Sequence, residues 1–417
     1  MRIRGIRTIL LTAPWTGDPN WVGGETAPGA PPAPWERSAA LIEVTADDGQ
    51  TGLGETIAGY FVPEAVEPLV RYFSELLVDL RLDPLEPARA ADELRQRCRW
   101  WGRTGLAQSV LSGVEMALWD LAGKTAGQPV HALLGGAVHA RLPVYASGGT
   151  GAWPLERTVE QARAYVDAGF RALKLGTGFD GRPGGFVTAR AEPPYGTWYA
   201  GTAAQRVADE RSKAEALRAA LGPSIDLAFD AHAVQVREPW SRATARALLR
   251  ALEPYDVVFL EEPLRYDDVA GYAELRRATS VPIAGGECLS SVEEFDTFLR
   301  HGALDLVQPD AGHVGGIDAC RQVADAAARV HVGLAVHTGG SIGPALAANL
   351  HVAFASANAA WVELALAPSN IRDELLTEPL RIENGLLAAP TAPGLGVRLP
   401  PDLLERYPYR PGAVEYA

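Results

Sequence analysis

From about residue 142 the chain alternates short apolar runs with helix-like stretches, and this rhythm constrains its fold more than any other feature. The runs are LPVYASG (142–148), ALKLG (172–176), DLAFDAH (226–232), VVFLEEP (257–263), VPIAGGE (281–287), DLVQPD (305–310), VGLAVHT (332–338) and WVELALA (361–367). Between them lie stretches such as TVEQARAYVDAG, SRATARALLRAL and VEEFDTFLRHG. Strands alternating with helices of this length mean βαβ units and a parallel sheet. Eight such strands over roughly 225 residues fit a closed (β/α)8 barrel, whose typical size is about 250 residues. The rival is a doubly wound open sheet. It would more usually carry a glycine-rich turn near its first strand, and none is obvious here.

Residues 1–125 follow a different pattern. A strand-like IRTILLTAP precedes a Pro/Gly/Trp-rich loop, and SAALIEVTADDGQTGLGET reads as a strand pair around a DDG turn. Helical stretches then run to GVEMALWDLAGKTAG. This is a separate α+β domain, followed by a barrel domain over 126–367. The tail, 368–417, is too short for a domain and is expected to pack back on the first one. Inside the barrel segment one interval is abnormal: residues 176–202 are rich in Gly, Pro and aromatics. Long loops without secondary structure are usually functional or disordered. Its place after a barrel strand puts it on the face where barrel sites lie.

Composition narrows the partners. The 417 residues carry 38 basic and 51 acidic side chains, a net charge of −13, which argues against a nucleic-acid surface. No apolar run reaches the roughly 18 residues of a membrane span, and the N-terminus lacks a signal-peptide pattern. Three cysteines, Cys98, Cys288 and Cys320, are far apart and show no CxxC spacing. Neither a disulfide framework nor a zinc knuckle is indicated. A cytoplasmic location is the default expectation.

Polar residues recur at the ends of the apolar runs. Asp230 and His232 end the third, Glu261 and Glu262 the fourth, Glu287 the fifth, Asp310 the sixth and His337 the seventh. Lys174 lies in the second and Glu363 in the eighth. Successive members are one βα unit apart, so each returns to the same end of a barrel, where polar residues read as catalytic. Side chains at i and i+2 share a face of a strand. Asp230 and His232 should therefore point together, and Glu261 and Glu262 apart. Acids from three adjacent strands (230, 261 or 262, 287) converge and repel unless a cation neutralises them. Oxygen ligands select a hard cation such as Mg²⁺. Taken singly, each acid could as well serve an arginine or a helix N-terminus. His337 beside Asp310 suits a general base, because the carboxylate fixes the imidazole tautomer and raises its basicity. His131, His139, His301, His313, His331 and His351 read as structural or surface residues.

With these acids, the stretch ALWDLAGKTAGQPVHALLGG, the EEP, the GE of AGGECLS, QPDAGHVGGI and the closing PGLGV, the chain resembles the enolase superfamily, in its mandelate racemase-like branch. The resemblance covers nearly the whole length, and makes the first domain a capping domain completed by the tail. It implies Mg²⁺ ligands at Asp230, Glu261 and Glu287, and a base dyad of His337 with Asp310. It also implies a substrate-contacting acid at Glu363. Glu262 then points away from the metal, where it would pair with a basic group. Lys174 matches the first lysine of the family's KxK motif, but Gly176 stands where the second lysine would be, so one base of a two-base racemase is missing. His232, as DxH after the ligand Asp230, matches the histidine that helps a β-hydroxyl leave in galactonate and mannonate dehydratase-like members. The expected activity is therefore an acid-sugar dehydratase giving a 2-keto-3-deoxy sugar acid. An epimerase, racemase or cycloisomerase of the same superfamily is the alternative, and a non-catalytic sugar-acid-binding barrel a remote one. Trp21 in the capping-domain loop, and Tyr195, Trp198 and Tyr199 in the 176–202 loop, could close over the substrate and exclude water, or could equally be packing anchors. Homo-oligomers are common in the family.

Overall fold

The computed structural model describes residues 1–14, 36–80, 83, 85–148, 155–177, 202–232, 240–365 and 370–411. Eight parallel strands close on themselves. They are β4 (Arg141–Ser147), β5 (Ala172–Gly176), β6 (Asp226–Asp230), β7 (Val257–Glu261), β8 (Ile283–Gly285), β9 (Leu306–Val307), β10 (Gly333–Val336) and β11 (Ala359–Ala365). Neighbours in sequence are neighbours in the sheet, and β11 pairs with β4 to shut the barrel. The strands are apolar on both faces because helices cover the outside and other strands the inside. The helices on the outside carry their own start signals. Ser241 and Ser291 cap Arg242–Leu252 and Val292–Arg300, and Thr202 with Gln205 forms a capping box on Ala203–Leu221.

Tyr145, Ala172, Ala228, Phe259, Ala284 and Leu306 pack together inside the barrel, while the larger core lies between the strands and the helix ring. One expectation fails here. Period-2 alternation puts Val257, Phe259 and Glu261 on one inward face. A bulge in the β6–β7 ladder, between Leu227 and Ala228, intervenes. Val257 packs with Leu227 in the outer layer, whereas Phe259 faces the interior. An inserted residue resets the face of everything before it.

The first domain is an antiparallel sheet, β1 (Ile3–Pro14), β2 (Glu36–Ala46) and β3 (Thr51–Thr56), backed by helices Val66–Leu80, Pro87–Cys98 and Leu106–Ala126. Gly54 lets β3 lie against the last of these, since a Cβ there would sit 2.0 Å from the Gly113 carbonyl oxygen. The chain after the barrel touches both bodies. Strands β12 (Ile382–Glu383) and β13 (Leu386–Ala388) form a hairpin that pairs antiparallel with β4. Farther on, Pro408 bridges to Leu11 of β1, and the Arg410 N–H donates to Thr12 Oγ1. Among the described residues no helix is long and apolar enough to cross a membrane.

Candidate active site

The strand ends deliver the polar residues to one basin. Asp230 and Glu261 are the last residues of β6 and β7 and pair across the sheet. Glu287, Asp310 and His337 follow β8, β9 and β10 within three residues, and Lys174 and Glu363 lie inside β5 and β11. Gly286 makes the turn into Glu287 with φ 118°, a conformation a side chain would strain, and a Cβ there would strike the Phe295 ring.

Lys174 holds the acids together. Its Nζ lies 3.0 Å from Asp230 Oδ2, 2.7 Å from Glu261 Oε2 and 3.0 Å from Glu363 Oε1, all buried. Burial alone would strip the lysine of its proton, but Asp230, Glu261 and Glu363 outweigh it and hold its pKa well above the usual value. Burial and the Asp230 charge push the Glu261 carboxyl up. Burial also works on Glu363, yet Lys174, His337, the Thr338 N–H and Ser147 bring it down to about 2.

The residues fit a hard divalent cation. One lysine charge does not balance four acids, and Glu261 Oε1 is buried with no hydrogen-bond partner among the described residues. Asp230, His232 and Glu287 offer ligand atoms within 4.8 Å of one another. The donors are mainly carboxylate oxygens, which suit Mg²⁺ better than a soft metal. His232 thus joins this group, while Glu261 Oε2 is taken by Lys174 and the Gln308 amide.

His337 and Asp310 form the dyad, with Nδ1 to Oδ2 at 2.8 Å. His337 Nε2 faces the basin, 3.3 Å from Glu287 Oε2 and 4.0 Å from Glu363 Oε2. Burial disfavours the charged ring, but Glu287, Glu363 and Asp310 together raise its pKa well above 6.5.

His232 stands beside Asp230, as expected, but for a different reason. It lies past the strand with φ 45°, its N–H donates to Asp230 Oδ1, and its Nε2 is 3.2 Å from Asp230 Oδ2. Glu262 does diverge from Glu261, yet it meets no base. Its Oε1 accepts from the Cys288 thiol, Oε2 has no partner, and among the described residues no cation pairs with it. Burial and Glu287 raise its carboxyl pKa well above the usual carboxylate range. His313 Nε2 sits 3.3 Å from the Cys288 carbonyl, and burial lowers its pKa. Trp21, Tyr195, Trp198 and Tyr199 lie outside the described residues.

Three residues escape sequence reasoning. Gln308 Nε2 donates to Glu261 Oε2 at 2.7 Å, Tyr145 places its ring 5.8 Å from Lys174 Nζ, and Asn349 reaches both members of the dyad. A signal exists for two of them: Gln308 is a polar residue in a buried barrel strand run, and Asn349 interrupts the apolar helix PALAANLHVAFA.

A (β/α)8 barrel with carboxylates and a His–Asp pair at its strand ends, under an α+β cap, is the architecture of an enolase-like protein. The sequence says which family. Residues 157–403 match the family described as enolase C-terminal domain-like, and residues 33–135 the mandelate racemase / muconate lactonizing enzyme N-terminal domain. The chain belongs to this family. The D-galactonate dehydratase of Xanthomonas euvesicatoria pv. vesicatoria is 32% identical over 382 residues, covering 88% of this chain and 90% of that one. Among solved structures, L-talarate dehydratase from Polaromonas sp. JS666, complexed with Mg and L-glucarate, has a TM-score of 0.77 at 27% identity, covering 98% of both chains. The 3,6-anhydro-D-galactonate cycloisomerase from Zobellia galactanivorans has a TM-score of 0.79 at 26% identity, covering 98% of this chain and 99% of that one.

Proposed function

We propose that the chain is an acid-sugar dehydratase, a lyase that converts a sugar acid to its 2-keto-3-deoxy acid and uses Mg²⁺. The observation that carries this reading is a pair of histidines across the barrel mouth. His232 follows β6 and His337 follows β10, four strands apart in a ring of eight. His337 has its Nδ1 committed to Asp310, which leaves Nε2 as the atom that accepts the α-proton; a cation held by Glu287 would offset the charge that raises the ring's pKa and so release Nε2 for that role. His232 Nδ1 has no hydrogen-bond partner among the described residues, and in this reading the imidazole is the acid that protonates the β-hydroxyl. The Cα–H electron pair first moves toward the substrate carboxylate to give an enediolate; it then forms the Cα–Cβ double bond as the β C–O bond breaks, and the hydroxyl leaves as water with the proton from His232. The enol product then tautomerises to the keto acid.

Asp230, Glu261 and Glu287 would hold the cation, which supplies positive charge beside the substrate carboxylate as negative charge develops there. Lys174 and Glu363 line the same basin, where the lysine ammonium orients the carboxylate and offsets its charge. Gly176 supports dehydration over two-base racemisation, since it places no second base at its position.

Purified protein incubated with Mg²⁺ and a panel of sugar acids in D2O is expected to release 2-keto-3-deoxy products. His337→Asn should abolish both dehydration and α-proton exchange, while His232→Asn should lose dehydration and keep exchange. Exchange by the wild-type chain without dehydration across a broad panel would overturn the reading. A second reading, cycloisomerisation, draws on the structural likeness to the Zobellia enzyme. It begins with the same proton removal and shows itself in that assay as an isomeric product without loss of water.

A further inference from the structure

Asn349 lies at the centre of helix Pro344–Ala355, whose residues are all buried and otherwise apolar except for His351. A buried amide surrounded by Ala, Leu, Val and Phe costs free energy unless its hydrogen bonds are made. Asn349 makes three. Its Nδ2 donates to Asp310 Oδ1 at 3.1 Å and to the His337 carbonyl at 2.8 Å, and its Oδ1 accepts from the Ala311 N–H at 2.8 Å. The two acceptors of its Nδ2 group belong to different strand ends, after β9 and after β10. One side chain thus ties together the loops that carry both members of the dyad.

The effect on Asp310 is specific. Oδ1 is held by Asn349 and by the Gly312 N–H at 2.7 Å, so Oδ2 is the oxygen turned to His337 Nδ1. With Oδ1 fixed from behind, the carboxylate cannot rotate, and the imidazole tautomer it selects is fixed with it. We propose that Asn349 is a positioning residue for proton removal: it touches no substrate and acts by aligning Asp310 and His337. This inference rests on the dehydratase reading only for its choice of assay, because any reaction that begins at His337 would read it.

The test compares Asn349→Leu, which fills the site with an apolar group, and Asn349→Ala, which leaves it small, should the larger residue prevent folding. Expected is a fall in kcat for sugar-acid turnover, and in the rate of α-proton exchange, on the order of 10- to 100-fold, the range typical of supporting hydrogen-bond partners. KM should change little, since Asn349 contributes nothing to substrate contact. A merely structural role would lower thermal stability and the active fraction without splitting kcat from KM per folded enzyme. Turnover equal to wild type in a folded variant would overturn the inference. Failure of the dehydratase reading looks different: wild-type exchange persists without dehydration, and the variants are then compared by exchange alone. A crystal structure of either variant supplies a readout free of substrate. An Asp310 carboxylate rotated off His337 Nδ1 supports the inference, and an unchanged dyad overturns it whether or not any sugar acid reacts.

Discussion

Between Glu261 and Glu262 the backbone leaves the strand and turns left-handed, with φ 42° at Glu262. That turn separates two adjacent carboxylates into a basin with Lys174 and a pocket with Cys288. Glu261→Gln is expected to weaken Mg²⁺ binding, measured by calorimetry on the folded chain, by at least about tenfold, more than Glu262→Gln, because supporting partners alone are worth that much. Equal losses would mean that both acids reach the cation. The divergence of the two acids was legible from the period of a strand, as was the meeting of Asp230 with His232. The means were not: positive φ at His232 and Glu262 and the bulge before Phe259 leave no mark in residue type. Asn349 and Gln308 were legible only as polar residues in apolar surroundings. What they hold depends on strand ends distant in sequence.

Two acids of the first domain complete helices of the second. Helix Ile317–Arg329 begins at Gly316 and helix Pro344–Ala355 at Gly343, and a glycine at the N-cap has no side chain to cap with. Glu115 accepts from the N–H groups of Ile317 and Asp318 at 2.8 and 2.9 Å, and Glu55 from those of Ile342, Gly343 and Ala345. A carboxylate at a helix N-terminus contributes up to about 2 kcal/mol when partly buried. Both helices follow loops of the site, so the cap is anchored where the chemistry sits. Burial pushes the Glu115 carboxyl up to about 7, against the pull of the Asp318 and Ile317 N–H groups. The folded state then keeps a proton that the unfolded chain has lost between pH 4.5 and 7. This contribution is present below pH 4.5 and disappears as pH rises to about 7, on the order of 3 kcal/mol at most. Thermal denaturation across that window should show a falling Tm, with a shallower slope in Glu115→Gln. Parallel slopes would exclude Glu115 as the group responsible.

At the scale of the molecule, the barrel and its order of strands follow from the alternation of apolar runs, because the runs are buried on both faces and the helices between them, Pro344–Ala355 apart, on one. The C-terminal chain did not yield to that reasoning. Its β12–β13 hairpin pairs beside β4 before the chain reaches the first domain, and strands of two or three residues are too short to carry a period.

The histidines after β6 and β10 follow strands on opposite sides of the ring, and in the dehydratase reading this has a stereochemical consequence. A base on one side and an acid on the other would take the proton and the hydroxyl from opposite faces of the nascent double bond, an anti elimination. Of two sugar acids that differ only at C2, one presents its hydrogen and its C3 hydroxyl in that arrangement and should dehydrate directly. Its epimer would need a syn loss. Comparing kcat/KM for such a pair checks this: strong preference for the anti-disposed epimer is expected, and equal rates would mean that one histidine serves both steps.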